Sequence, residues 1–207
     1  MQRLFFVRHG KTTLNLAHHV QGGAIDSPLL DESREEAVKT GEALAPFNIS
    51  QVIASPQHRA VETAELITKQ FPHPFDIHFS NDFKEMNYGT WEGLPIAELS
   101  KRDAELFEHL IRRPEKYDPT PIQGETYQQL VTRGKRTVEQ AIAAFPDTDI
   151  LFVGHAILTM CTLLSLLGKD VKDFRSFEPL DNTSVTILNY QHRQFSLNVW
   201  NQTDHLR

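Results

Sequence analysis

The chain has 207 residues, 40% of them hydrophobic and 23% charged, the balance of an ordinary globular protein and not of a disordered or fibrous one. Its 27 acidic against 21 basic side chains, net charge -6, oppose a nucleic-acid surface while leaving room for a local basic pocket. The one cysteine, Cys161, cannot form an internal disulfide, and neither a signal-type N-terminus nor an apolar run of membrane-spanning length is present, so a soluble, unprocessed, cytoplasmic protein with no nucleic-acid or membrane partner is expected.

Leu4-Phe5-Phe6-Val7 is a short apolar run ending in Arg8-His9-Gly10, the pattern of a strand buried on both faces of a parallel sheet, with Gly10 letting the chain turn. A polar loop from His18 to Pro28 leads into a helix from Asp31, its expected N-cap, to about Ala45, where Pro46 stops it. Gln51 to Ala54 is a second strand; Ser55 as cap and Pro56 at the first helical position introduce a helix over Gln57 to Gln70. Phe75 to Phe79 alternates as a third strand, and Phe83 to Gly93, without periodicity, is a structured loop of the kind that carries function. Residues 94–124 form an expected lid or insertion, charged and helix-friendly up to Arg113 and then broken by Pro114, Pro119 and Pro121. A helix over Glu125 to Phe145, a strand over Ile150 to Val153 running into Gly154-His155, and an apolar helix over Ala156 to Leu167, closed by Gly168, come next. Val185 to Leu188 and Phe195 to Trp200 are two late strands. Alternating strands and helices predict one α/β domain over 1–207, a three-layer sandwich with a mostly parallel central sheet flanked by helices.

Arg8-His9, Arg59 and His155 fall at equivalent places, each just past a predicted strand or in the first turn of the helix that follows it. A helix N-terminus is already electropositive, so cations there call for a negative partner. With the three strands parallel and adjacent, Arg8, Arg59 and His155 would converge on one anion pocket backed by free N–H groups, a site suited to phosphate.

These residues resemble the signature of the histidine phosphatase superfamily, the phosphoglycerate mutase-like proteins. Arg8-His9-Gly10 with Thr12 and Asn15 is followed in the family's order by Gln21-Gly22 through Asp26-Ser27-Pro28-Leu29, Ala54 to Ala64, Glu85 to Gly93, Gly124-Glu125-Thr126, Val153-Gly154-His155 and Asn182 to Val185. The resemblance implies a phosphoglycerate mutase-like fold and a phosphomonoesterase of the histidine acid phosphatase type. His9 would be the nucleophile, held in one tautomer by a backbone carbonyl and forming a phosphohistidine. Arg8, Arg59 and His155 would bind the phosphoryl oxygens, Asn15 would add a neutral hydrogen bond, Gln21 would line the entrance, and Glu85 would serve as acid and base. Glu92, in the Trp91-Glu92-Gly93 turn, reads as structural. No metal and no cofactor are expected, since His18, His19, His73 and His78 lack helix-borne metal spacing.

Two positions depart from the family pattern: Lys11 stands where Glu or Gln is common, and Ala156 where glycine is frequent. The substrate implied is a small phosphorylated metabolite whose leaving group would be read by Phe107, His109, Leu110 and Tyr117. Arg112-Arg113 could contact a second acidic group but reads first as a solvated helix end. The alternatives are a 2,3-bisphosphoglycerate-dependent phosphoglycerate mutase, a non-catalytic phosphate-binding protein and a metal-dependent hydrolase; the compact 102–124 stretch favours the phosphatase branch. Oligomeric state is open, a homodimer being one possibility.

Overall fold

The computed structural model describes residues 1–207. In chain order its elements are β1 (Gln2–Arg8), α1 (Thr13–Leu16), α2 (Asp31–Leu44), β2 (Ile49–Ala54), α3 (His58–Thr68), β3 (Ile77–Phe79), α4 (Ile96–Arg102), α5 (Ala104–Arg112), α6 (Tyr127–Ala144), β4 (Asp149–Gly154), α7 (Ala156–Leu166), β5 (Val185–Gln191) and β6 (Gln194–Gln202), with short 3-10 turns between them. The strands form one sheet in the order β3-β2-β4-β1-β5-β6. The first four are mutually parallel; β5 and β6 add an antiparallel edge beside β1.

Alternation of side chains along the central strands divides the core between the two faces of the sheet. Leu4, Phe6, Ile53, Ile150 and Phe152 pack with Leu130 and Val138 of α6 and Leu158 and Cys161 of α7. Phe5, Val7, Val52, Leu151 and Val153 pack with Ala37 and Leu44 of α2 and Ala60, Ala64 and Ile67 of α3. The result is the three-layer α/β arrangement that the pattern predicted. Met160 and Cys161 lie in the core, and no helix is long and apolar enough to cross a membrane.

Helix ends are where sequence and structure differ. Leu30, not Asp31, caps α2, and Asp31 sits in its first turn, where its charge suits the helix dipole. Pro56 lies outside α3, which begins at His58 after Gln57, because Ser55 Oγ accepts the Gln57 N–H (3.3 Å) in a local turn. The long helix starts two residues later than expected: Thr126 caps α6 in a capping box with Gln129, which leaves Glu125 outside it. The third strand is only Ile77–Phe79. Residues 94–124 are not a loose excursion: Val20 donates to the Leu94 carbonyl (2.9 Å) and Ile96 to that of His18 (3.0 Å), while Leu110, Tyr117 and Ile122 are buried.

Phe152 stacks on Phe6 (4.8 Å between centroids) and is fully buried. Phe152→Ala removes that contact and leaves a cavity at the sheet centre, so the account predicts a loss of about 3–5 kcal/mol in urea unfolding. A loss below about 1 kcal/mol, on the same scale, would show that this face is not close-packed.

Candidate active site

The parallel order β2-β4-β1 sets three strand ends side by side. Arg8 pairs with Gly154 and Ala54 with Val153. Just beyond, His9 N donates to the Gly154 carbonyl (2.9 Å) and Ser55 N to that of Val153 (3.0 Å). Thus the chain leaves all three strands at one level, and His9, the start of α3 and the start of α7 meet there. Gly10 does not have a positive φ; its role is close approach, since a Cβ would lie 3.1 Å from the Ser33 Cβ of α2.

His9 is held from both ring nitrogens. Nδ1 lies 2.7 Å from the Gly10 carbonyl, and Arg59 Nε donates to Nε2 at 3.2 Å. A carbonyl can only accept, so Nδ1 carries the proton and Nε2 presents its lone pair. Burial first, then the charges of Arg59 and Arg8, push the imidazole well below its usual range, opposed by the Gly10 hydrogen bond. At neutral pH it is uncharged.

Arg59 projects from the first turn of α3 and is 1% exposed. Its Nη2 donates to the Gly22 carbonyl (3.1 Å), and its Nη1 to the Ile25 carbonyl (3.2 Å) and to Asp26 Oδ1 (2.9 Å). Asp26 Oδ2 also accepts the His58 N–H (2.6 Å), so a carboxylate of this chain occupies the N-terminus of α3, where only an external anion had been foreseen. Gly22 is fixed by this geometry: a Cβ there would fall 2.6 Å from the Met86 carbonyl. His58 itself is exposed.

Glu85 and His155 complete the group. Glu85 is 6% exposed; its Oε1 accepts the N–H groups of Met86 (2.8 Å) and Leu158 (2.9 Å), and its Oε2 that of Ile157 (3.0 Å). The carboxyl group therefore caps α7, and Gln57 Oε1 accepts the Glu85 N–H (2.9 Å). His155 is the N-cap residue of α7, its ring 5.2 Å from that of His9. Neither of its ring nitrogens has a partner in the chain, nor has Arg8 Nε. Arg8 Nη1 donates to the Leu180 carbonyl (2.7 Å). Burial lowers the Arg8 guanidinium from its usual range and pushes His155 well down, with Arg59, His9, Arg133 and Arg8 adding to the second effect.

The remaining predicted residues lie around this centre. Asn15 Oδ1 accepts the Thr12 N–H (3.2 Å) in the capping box of α1, and Gln21 Oε1 accepts from Thr12 Oγ1 (2.7 Å). Glu92 is structural, accepting the N–H groups of Ala24 (2.8 Å), Ile25 (2.9 Å) and Tyr88 (3.1 Å). Lys11 is half-buried, and Ala156 opens α7. Arg112 and Arg113 are exposed at the end of α5, Arg113 facing Glu115 at 3.7 Å. Leu110 and Tyr117, expected to read a leaving group, are instead 6% exposed parts of the core. Sequence reasoning passed over Asp26, Gln57 and Asn182, whose Nδ2 donates to the His9 carbonyl (2.8 Å). The segment motifs around Asp26 and Asn182 were the available signal. No group of three or more His, Cys, Asp or Glu side chains is placed to hold a metal ion.

The model of the histidine phosphatase superfamily (branch 1) matches residues 4–203. The chain belongs to that superfamily. It is 29% identical over 206 residues to "Uncharacterized phosphatase PhoE" of Bacillus subtilis, covering 100% of this chain and 97% of the relative. It is 27% identical over 200 residues to "Probable phosphoglycerate mutase GpmB" of Salmonella paratyphi A, covering 97% and 90%. A mycobacterial glucosyl-3-phosphoglycerate phosphatase, solved with VO3, superposes with a TM-score of 0.86 at 25% identity, covering 97% of this chain and 99% of that one. The family thus places the chain among phosphatase- and mutase-like enzymes.

Buried neutral histidines make stability depend on pH in a defined direction. Their folded pKa values lie below the unfolded value of 6.5, so beneath about pH 6.5 the unfolded chain binds more protons and stability falls as pH falls. The melting temperature should drop between about pH 7 and 5, and His155→Gln should flatten that slope. An unchanged slope in the variant would show that His155 takes up its proton without cost.

Proposed function

We propose that this chain hydrolyses phosphomonoesters of small metabolites through a phosphohistidine on His9. The observation that carries the reading is the set of buried polar atoms without partners, Arg8 Nε and the two ring nitrogens of His155, one of which is a donor, beside an imidazole whose Nε2 lone pair faces Arg59. Buried polar groups are rarely left unpaired, and a phosphoryl group supplies acceptors for each donor at once. On binding, the Arg59 Nε–H would turn its hydrogen bond from His9 to a phosphoryl oxygen and free the lone pair for in-line attack.

In the first half-reaction Nε2 bonds to phosphorus as the ester P–O bond breaks, and Glu85, entering protonated, gives its proton to the leaving oxygen. In the second, the Glu85 carboxylate takes a proton from water, the water oxygen attacks phosphorus, and the P–N bond breaks to release inorganic phosphate and neutral His9. Arg8, Arg59 and His155 would stabilise the equatorial oxygens as charge spreads over them, with the Asn15 side-chain amide directed to the same group. The 94–124 segment, anchored against Val20 and His18, would cover the leaving group. Neither step uses a metal or a diffusible cofactor.

The name of the GpmB relative favours a second reading, in which a substrate hydroxyl, not water, receives the phosphoryl group. The compact 102–124 stretch supports hydrolysis. With chelator present, the protein should release phosphate from p-nitrophenyl phosphate at mildly acidic to neutral pH and be inhibited by vanadate, and His9→Ala should lower kcat at least ~1000-fold. Release that survives in the variant, or disappears with chelator, contradicts this mechanism. Efficient isomerisation of 3-phosphoglycerate that requires 2,3-bisphosphoglycerate would establish the mutase reading instead.

A further inference from the structure

Behind the Glu85 segment, Arg133 of α6 has a partner for every one of its N–H groups. Nε donates to Glu125 Oε1 (2.6 Å), and Nη2 to Glu125 Oε2 (2.7 Å) and to the Glu85 carbonyl (3.1 Å). Nη1 donates to the carbonyls of Asp82 (2.9 Å) and Lys84 (2.5 Å). Glu125, outside the capping box of α6, continues the chain of contacts: its Oε2 accepts the Asn87 N–H (3.2 Å), and its own N–H donates to the Asn87 carbonyl (2.7 Å). The two side chains are only 16% and 13% exposed. Together they grip the backbone on both sides of Glu85.

We infer that the Arg133–Glu125 pair is a positioning device that keeps the Glu85 carboxyl group in place while its protonation state changes. The inference rests on the acid and base roles proposed for Glu85. Three backbone N–H groups hold the Glu85 side chain when it is a carboxylate; once one oxygen is protonated, that oxygen accepts less strongly and the grip weakens. A clamp on main-chain carbonyls has no such dependence, because the carbonyls do not titrate. Arginine suits this work, since its planar fork addresses a carboxylate and three carbonyls together, while a lysine offers three donors from a single atom. Glu125 supplies the counter-charge that a largely buried guanidinium beside the site needs.

A fault in general-acid geometry has a signature that general destabilisation lacks. p-Nitrophenolate departs with little help from a proton, whereas the alkoxide of β-glycerol phosphate must be protonated as it leaves. For Arg133→Lys, kcat/KM should fall about 10- to 100-fold on β-glycerol phosphate but less than about threefold on p-nitrophenyl phosphate. Competitive inhibition by inorganic phosphate should stay within about twofold of the wild type, showing an intact anion pocket. Glu125→Gln, which removes the charge, keeps one of the two acceptors and sets an amide donor where the other stood, should show the same asymmetry at smaller size; it carries the test should the lysine variant fail to fold. Equal proportional losses on both substrates, or no loss on either, in a folded variant overturn the positioning role alone. A wild type without turnover on either ester overturns the hydrolase reading and this role with it.

Discussion

One hydrogen bond sets the terms for the rest of the centre: the guanidinium of Arg59 donates to Nε2 of His9. Two donors cannot face one another, so the contact requires a neutral imidazole with its proton on Nδ1, and the Gly10 carbonyl accepts that proton. Around this pair the structure is largely a set of devices that hold a cation and a lone pair together in a buried site. Asp26, Gly22 and Ile25 hold Arg59 from behind; Asn182 holds the His9 carbonyl. The parallel register of β2, β4 and β1 brings the parts to one level.

The charge arrangement gathers cations locally within an acidic chain. The chain carries a net charge of -6, while Arg8, Arg59 and His155 are gathered where three strands end. Each carboxylate close to the centre has an assigned set of partners. Asp26 balances Arg59, Glu85 caps α7, Glu92 ties the 22–25 loop to Tyr88, and Glu125 balances Arg133. Glu85 and Asp181 are the carboxylates whose charges act on Arg8, while Arg8 Nε and the His155 ring have no hydrogen-bond partner in the chain.

Much of this was legible in the sequence because it depends on order along the chain. Apolar runs ending at Val7, Ala54 and Val153 name the central strands, and the residues just past them are the ones the sheet brings together. The placement of Glu85 came from motif order, and nothing local in 83–93 foretold that its carboxyl group would cap a helix more than seventy residues away. Arg133 was not legible for the same reason: it looks like a surface charge, and its partners are set by tertiary geometry; Asp26 stood inside a recognised motif, but its pairing with Arg59 is likewise set by the fold. The misplaced caps of α2 and α3 are local: Ser55 Oγ accepts the Gln57 N–H in a turn, and Asp31 sits inside the first turn of α2, where its side chain pairs with Arg34. Leu110 and Tyr117 were read as substrate contacts because they lie in the expected lid; Leu110 on α5 and Tyr117 after the turn at Pro114–Lys116 are buried in the core instead.

The most direct test of the central claim is to trap the covalent intermediate. The enzyme is mixed with an excess of p-nitrophenyl phosphate, quenched in alkali, digested and examined by mass spectrometry under conditions that preserve phosphoramidates. The account predicts an acid-labile, alkali-stable phosphoryl group on the peptide that contains His9, chased by time and absent from His9→Ala. Turnover with no phosphoryl group on His9, or with a stable one on another residue, would contradict it.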